Sequence, residues 1–122
     1  MHEASLVRTL LAKVAAVCLE HRGDAVTAVC VELGPLSGVE PLLVQSAFEQ
    51  LAPEQGMATA KLIITEIPLE AKCRDCGAIF EIHNFRFRCE ICESPSVQVL
   101  RGDEFRLLNV TIRQSADQEA TA

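Results

Sequence analysis

The chain has 122 residues, 49% of them apolar, a formal charge of −6, and neither Trp nor Tyr. That length bounds it to one domain of ordinary size, or a small domain carrying a smaller one, around an aliphatic core with a few Phe. The acidic balance argues against a non-specific nucleic-acid binder, which needs a basic face, and suits a protein that handles cations or meets basic partners.

Residues 5–21 read as an amphipathic helix. Leu6, Val7, Leu10, Leu11, Val14, Val17 and Cys18 recur at helical spacing, with Arg8, Lys13 and Glu20 opposite. Gly23-Asp24 breaks that pattern. Ala25 to Leu33 is rich in β-branched residues and apolar on both faces apart from Thr27 and Glu32, as a central strand should be. Gly34-Pro35 ends it. A second helix is expected from Glu40-Pro41, since Pro is favoured at the first helical position. Its stripe is Leu43, Val44, Ala47, Phe48 and Leu51, closed by Pro53 and Gly56.

Thr59 to Glu70 reads as a second long strand, with Pro68 marking an edge or bulge near its end. A cysteine-rich segment occupies Cys73 to Cys92. Val97 to Arg101 is a short strand, Gly102-Asp103 a turn, and Glu104 to Arg113 a last strand with Leu108, Val110 and Ile112 on one face. Residues 114–122 are small and polar, a frayed tail. The order predicts an α+β fold: two helices packed on a three-stranded mixed sheet, with an inserted zinc-ribbon-like domain holding zinc on four cysteines. The expected bounds are residues 1–70 plus 103–113 for the α/β domain, 71–102 for the insert and 114–122 for the flexible tail.

The cysteines carry the strongest signal. Cys73-Arg74-Asp75-Cys76 and Cys89-Glu90-Ile91-Cys92 are two C-x-x-C pairs separated by twelve residues. Each can set two thiolates about 3.5–4 Å apart on one tetrahedral ion, and the spacer lets a hairpin bring the pairs together. That is the ligand logic of a structural zinc site. Gly77 permits the left-handed turn of a zinc knuckle, whereas Glu93 makes the second knuckle turn without Gly. Ile79, Phe80, Ile82, Phe85 and Phe87 supply a miniature core, and zinc supplies most of the stability of so small a module. A thioredoxin-like redox pair is the rival reading, but two pairs with knuckle chemistry favour zinc. Four Cys ligands leave no position for water, so the zinc is not catalytic. His83 reads as a loop histidine, and Cys18 and Cys30 as buried small hydrophobes. Reduced C-x-x-C pairs point to a cytoplasmic setting. The start lacks the basic n-region of a signal peptide, and no apolar run reaches the roughly 18–20 residues of a membrane span.

The amino terminus offers a second metal geometry. His at position 2 is too large for the usual removal of the initiator Met, so the chain begins Met1-His2-Glu3. The Met1 amine, the His2 amide nitrogen and the His2 imidazole can chelate one ion in fused rings, with a further nitrogen or carboxylate completing a plane. Such donors suit Ni(II) or Cu(II). The positive end of the first helix opposes a cation there, and Glu3 is the obvious offset.

Met1-His2-Glu3, Gly34-Pro35-Leu36-Ser37-Gly38-Val39-Glu40, Ala47-Phe48-Glu49, the paired C-x-x-C and Gly102-Asp103-Glu104-Phe105-Arg106-Leu107 occur in a fixed order. Together they resemble the HypA/HybF family of hydrogenase maturation factors, over essentially the whole chain but the tail. The resemblance implies a non-enzymatic nickel metallochaperone that binds Ni(II) at His2, with Met1 contributing its amine and Glu3 and Glu40 as candidate acidic helpers. Glu40 has an alternative role as a cap of the second helix. The resemblance carries the structural zinc to Cys73, Cys76, Cys89 and Cys92. It implies as partners the GTPase of the maturation pathway and the [NiFe] hydrogenase large subunit, with urease served in some organisms. Some members have histidines flanking the cysteine pairs as an exchange switch; neither pair here has one adjacent. The competing reading is a zinc-ribbon interaction module in transcription or RNA handling, allowed by Arg74, Arg86, Arg88 and Arg101. A metal-dependent hydrolase lacks any H-E-x-x-H helix.

Overall fold

The computed structural model describes residues 2–114 and 119–121, with side chains described over residues 3–114. Helix α1 spans His2–Glu20 and strand β1 Gly23–Leu33. The helix begins three residues before the expected start at residue 5, because Glu3 and Ala4 extend it at no packing cost. It buries Val7, Leu10, Leu11 and Val14, one face of a 3.6-residue period. Arg22 takes a left-handed φ of 53° to turn the chain into β1.

Helix α2, Pro41–Leu51, buries Val44 and Phe48, and a short 3-10 turn at Pro53–Gln55 follows it. Strand β2, Lys61–Glu66, then runs parallel to β1. The strand expected over 59–70 ends at Glu66, and a new one begins at the last residue of that span. Pro68, with no N–H to donate, sits in the break, and β3, Glu70–Cys73, belongs to another sheet. Strands β4, Ile79–Glu81, and β5, Val97–Arg101, flank β3 antiparallel. Strand β6, Phe105–Gln114, returns antiparallel to β1.

The first sheet is therefore mixed and ordered β2-β1-β6, as expected, with β1 central. A short fourth strand, β7 at Glu119–Thr121, adds to β6. Those three residues were expected in the frayed tail; they pair instead, Thr111 opposite Thr121 and Arg113 opposite Glu119. The second sheet is ordered β4-β3-β5.

Two separate apolar clusters follow. In the first, α1 and α2 lie on one face of the β2-β1-β6 sheet over Val26, Val29, Val31, Val110 and Ile112. Leu108 was expected on that face and is exposed. The register slips between Cys30–Asn109 and Val31–Leu107, so Leu108 is the extra residue of a bulge. Leu107 and Phe105 turn inward in its place. Cys18 and Cys30 were expected buried and are both half-buried, Cys18 packing against this core. The second cluster is Leu69, Ala71, Phe80, Ile82, Cys73 and Cys89. Ile79 and Phe85 were expected in it and are exposed: β4 alternates, sending Phe80 inward and Ile79 outward.

The chain passes between the sheets twice, through 67–69 and 102–104, and both passes press on the loop after β1. Ile67 N–H donates to the Leu33 carbonyl (3.0 Å), Gly34 N–H to Glu104 (3.0 Å) and Leu36 N–H to Gly102 (2.8 Å). A Cβ on Gly34 would lie 2.2 Å from the Gly102 carbonyl carbon. Gly102, at φ 107°, would put one 2.7 Å from Leu69 Cα. Only glycine allows backbones this close. Glu32 on β1 ties the same junction from one side, accepting from Arg106 at 3.0 Å and facing Arg101 at 3.8 Å.

Candidate metal centres

The four sequence-predicted cysteines converge. One sulfur from each of Cys73, Cys76, Cys89 and Cys92 lies within 4.8 Å of all the others. Cys73–Cys92 and Cys76–Cys89 are 3.5 Å apart. A tetrahedral ion with bonds of about 2.3 Å to sulfur sets its ligands about 3.8 Å apart, so the quartet fits zinc closely.

The backbone shapes each pair. Gly77 takes φ 77° and its N–H donates to the Cys73 carbonyl; Glu93 takes φ 60° and its N–H donates to the Cys89 carbonyl, both at 3.0 Å. These turns aim amides at sulfur: Cys76 N–H to Cys73 Sγ (3.4 Å), Ile91 N–H (3.3 Å) and Cys92 N–H (3.5 Å) to Cys89 Sγ. The electrostatics of the metal-free quartet follow. The Cys92 N–H, joined by that of Ile91, lowers the Cys89 thiol to about 7. The Cys76 N–H lowers Cys73 in the same way. For Cys92 the Ser94 N–H also lowers the thiol, but the Cys73 sulfur and desolvation outweigh it and push it up to about 12. Cys76 is raised too: the Ala78 N–H favours its thiolate, but Cys89, desolvation and Cys73 together prevail. Four thiolates cannot share this space without a cation between them.

The amino-terminal candidates divide. Met1 and the His2 side chain lie outside the described residues; the His2 backbone opens α1. Glu3 and Glu40, 37 residues apart in sequence, are brought together: the Glu40 N–H donates to Glu3 Oε2 at 3.4 Å. The Glu3 carboxyl is held below its ordinary range, first by its own backbone N–H and then by that of Glu40. Glu40 occupies the cap position of α2 by its extended backbone (φ −92°, ψ 122°), and its carbonyl accepts from Leu43 and Val44. Its carboxylate makes no capping hydrogen bond. Its side chain is thus left for another role.

Sequence reasoning did not find Phe85 here. Asn84 and Phe85 have φ of 54° and 55°, and the Arg86 N–H donates to the His83 carbonyl at 3.1 Å, a type I′ turn with Phe where Gly is usual. The turn puts Phe85 with Glu40, Pro41, Val39 and Ile67 on a groove of about 210 Å³. Nothing in the local sequence signals that contact across more than forty residues. His83 is exposed and faces Glu81 at 3.3 Å; it is not part of the cysteine quartet. No described helix is long and apolar enough to cross a membrane.

A mixed sheet under two helices, a four-thiolate cluster on a second sheet and acidic groups gathered at the chain's start define a small metal-handling protein. Comparison with known proteins narrows that class. The model of the family described as "Hydrogenase/urease nickel incorporation, metallochaperone, hypA" matches residues 1–112. The hydrogenase maturation factor HypA of Wolinella succinogenes is 37% identical over 121 residues, covering 98% of this chain and 97% of that one. HypA of Shewanella oneidensis is 35% identical, with 96% and 99% covered. Among solved structures, the Ni metallochaperone HypA from Helicobacter pylori superposes with a TM-score of 0.69 at 29% identity, covering 93% of this chain and 98% of its own. A second HypA solution structure gives 0.71 at 31%, covering 92% and 96%. The chain belongs to the HypA family, and nickel delivery for hydrogenase maturation is its function. The transcription or RNA reading finds no support in these matches.

Proposed function

We propose that the chain carries Ni(II) on its first residues, through the Met1 amine, the His2 amide and the His2 imidazole, with Glu3 and Glu40 as nearby carboxylates. The observation that carries this reading is the Glu3 carboxylate at the start of α1, which accepts the Glu40 N–H and so brings residue 40 beside it. A helix N-terminus ordinarily repels a cation, and carboxylates reverse that balance. The same terminus helps in another way. The first four N–H groups of a helix have no carbonyl to serve, so the His2 amide can lose its proton and bind metal without breaking a helical bond. Ligation consumes imidazole and amide protons, so affinity falls as pH drops. A ligand set on a chain end can be exchanged stepwise, which suits a carrier that must release its ion.

Cys73, Cys76, Cys89 and Cys92 would hold the structural zinc, which supplies the positive charge four crowded thiolates need and leaves no open coordination position. This makes the chain a carrier in the cytoplasm and not an enzyme. Residues 1–70 with 103–113 form the nickel unit and 71–102 the zinc unit. Its partners are the GTPase of the maturation pathway and the [NiFe] hydrogenase large subunit, with urease maturation proteins as a further recipient.

The test is metal analysis of untagged protein beside His2→Ala and a variant with one residue added before Met1. One zinc in all three and nickel only in the parent is expected. Equal nickel in all three refutes the amino-terminal site.

A further inference from the structure

The two knuckles are near copies of each other, offset by sixteen residues. Cys73 corresponds to Cys89, Cys76 to Cys92, Gly77 to Glu93 and Ala78 to Ser94. The backbone bonds repeat: Cys73 N–H donates to the Ala78 carbonyl at 2.8 Å and Cys89 N–H to the Ser94 carbonyl at 3.0 Å. The side chains differ at every position but the cysteines, and one of those differences bears on how the knuckles meet. Ala78 has no hydroxyl, whereas Ser94 has one, and it donates to the Asp75 carboxylate in the middle of the first knuckle. Apart from the sulfur contacts, this is the side-chain hydrogen bond that joins the two knuckles among the described residues. The same hydroxyl accepts the Ser96 N–H at 3.1 Å, and the strands beside it are also laced: Arg74 N–H donates to the Ser96 carbonyl (2.9 Å) and the Arg74 guanidinium to the Val97 carbonyl (2.9 Å).

Taken with the assignment of the four cysteines as zinc ligands, on which it rests, this geometry leads us to propose that Asp75 and Ser94 are positioning residues: a clasp that locks the two zinc knuckles together and slows zinc loss. The reasoning is geometric. Zinc leaves a four-thiolate site by shedding one ligand at a time, and each lost sulfur can return only while its knuckle stays opposed to the other. Within one knuckle, amide-to-sulfur bonds hold the pair; they do nothing to hold pair to pair. Sulfur contacts do, but those are the bonds being broken, and the Arg74 bonds reach past the second knuckle to the strand that follows it. The Ser94–Asp75 bond spans the gap without using a ligand, and its carboxylate acceptor makes it stronger than a neutral pair. The second knuckle has particular need of support, since Glu93 stands where its counterpart is Gly. The hydroxyl beside it is what the first knuckle lacks.

The experiment measures zinc transfer from the full-length protein to a chromogenic chelator in excess, after zinc content has been determined for each variant. Ser94→Thr keeps the hydroxyl and Ser94→Val, equal to Thr in shape, lacks it; Asp75→Ala removes the acceptor and Asp75→Asn keeps an acceptor oxygen. Loss of one hydrogen bond to a charged group corresponds to about a tenfold faster release. S94V and D75A should each release zinc about tenfold faster, with the double variant no faster than either alone. S94T should stay within about twofold of the parent, and D75N, which keeps the bond but not its charge, should fall between the parent and D75A. The cobalt-substituted absorption spectrum should keep its four-sulfur signature throughout, which separates weaker retention from a changed ligand set. Parental release rates in S94V and D75A, or effects that multiply in the double variant, overturn the clasp. If D75A fails to fold, S94V against S94T decides by the same criterion. A parent without one tightly held zinc would instead overturn the ligand assignment, an outcome read before any rate is compared.

Discussion

Glu93→Gly should tighten zinc binding. Glu93 has φ 60°, a left-handed conformation that costs an ordinary L-residue about 1–2 kcal/mol. Gly takes it freely but gives back about 0.5–1 kcal/mol by loosening the unfolded chain. The net gain is about 0.5–1 kcal/mol. Both backbone bonds of residue 93 survive the change, its N–H to Cys89 O (3.0 Å) and its carbonyl from Arg88 (3.3 Å). Because binding and folding of a small zinc module are one event, that gain should appear in the metal equilibrium as zinc held about two- to fivefold more tightly. The first knuckle supplies the mirror experiment. Gly77 has φ 77°, and a Cβ there would meet no atom within 4 Å, so Gly77→Glu tests conformation without a clash and, with the same two terms reversed in sign, should weaken zinc about two- to fivefold. Competition against a chelator of known affinity measures both. A Gly77→Glu protein that binds like the parent, or a Glu93→Gly protein that binds more weakly, refutes the argument that the turn carries the strain.

The metal-free protein should have a stability optimum near pH 9. Cys89, lowered to about 7 from 9.0, contributes fully above pH 9 and loses its contribution as pH falls towards 7; Cys92, raised to about 12, contributes below pH 9 and loses it as pH rises towards 12. Hydrogen exchange of β3 to β5 in chelated protein, followed at pH 7, 9 and 11, checks this, and a monotonic trend contradicts it. Gly102→Ala should cost at least about 3 kcal/mol, because its Cβ would meet Leu69 Cα at 2.7 Å and the Pro68 carbonyl at 2.9 Å, both backbone atoms; an unshifted denaturant midpoint would falsify the close-approach account. Phe48→Ala, emptying a site only 1% exposed, should cost about 3–5 kcal/mol in the same assay. Zinc removal should leave the α1–α2–sheet core protected from exchange, since that cluster shares no buried residue with the one around Cys73 and Cys89.

The elements legible in the sequence were those whose signal is local. The helical stripe from Leu6 to Cys18, the Glu40-Pro41 helix start and the paired C-x-x-C each declare themselves within a few residues, and α1, α2 and the quartet stand where they point. What escaped depends on a partner far away. Ile64 and Leu69 lie in the one strand expected over 59–70, and nothing in their side chains says that the first pairs with β1 and the second joins the cluster around Cys73; Pro68 marked an irregularity without its meaning. Leu108 alternates correctly with Val110 and Ile112, but alternation fails wherever a bulge inserts a residue, and the bulge is set by β1 across the ladder. Gly34 and Gly102 each look like ordinary turn glycines until their backbones meet.

The acidic helpers show the same limit with a functional consequence. Glu3 and Glu40 were nominated as acidic helpers, Glu40 with the alternative of capping the second helix. Their contact runs from a carboxylate to a backbone N–H, a bond that any acceptor at position 3 and any non-proline residue at position 40 could make. The pairing therefore leaves the Glu40 carboxylate uncommitted at the cap of α2, beside the start of α1. A group that neither caps its helix nor enters a core has no structural task to lose, so Glu40→Gln should leave the denaturant midpoint unchanged, and only its effect on nickel content bears on the proposed carboxylate role.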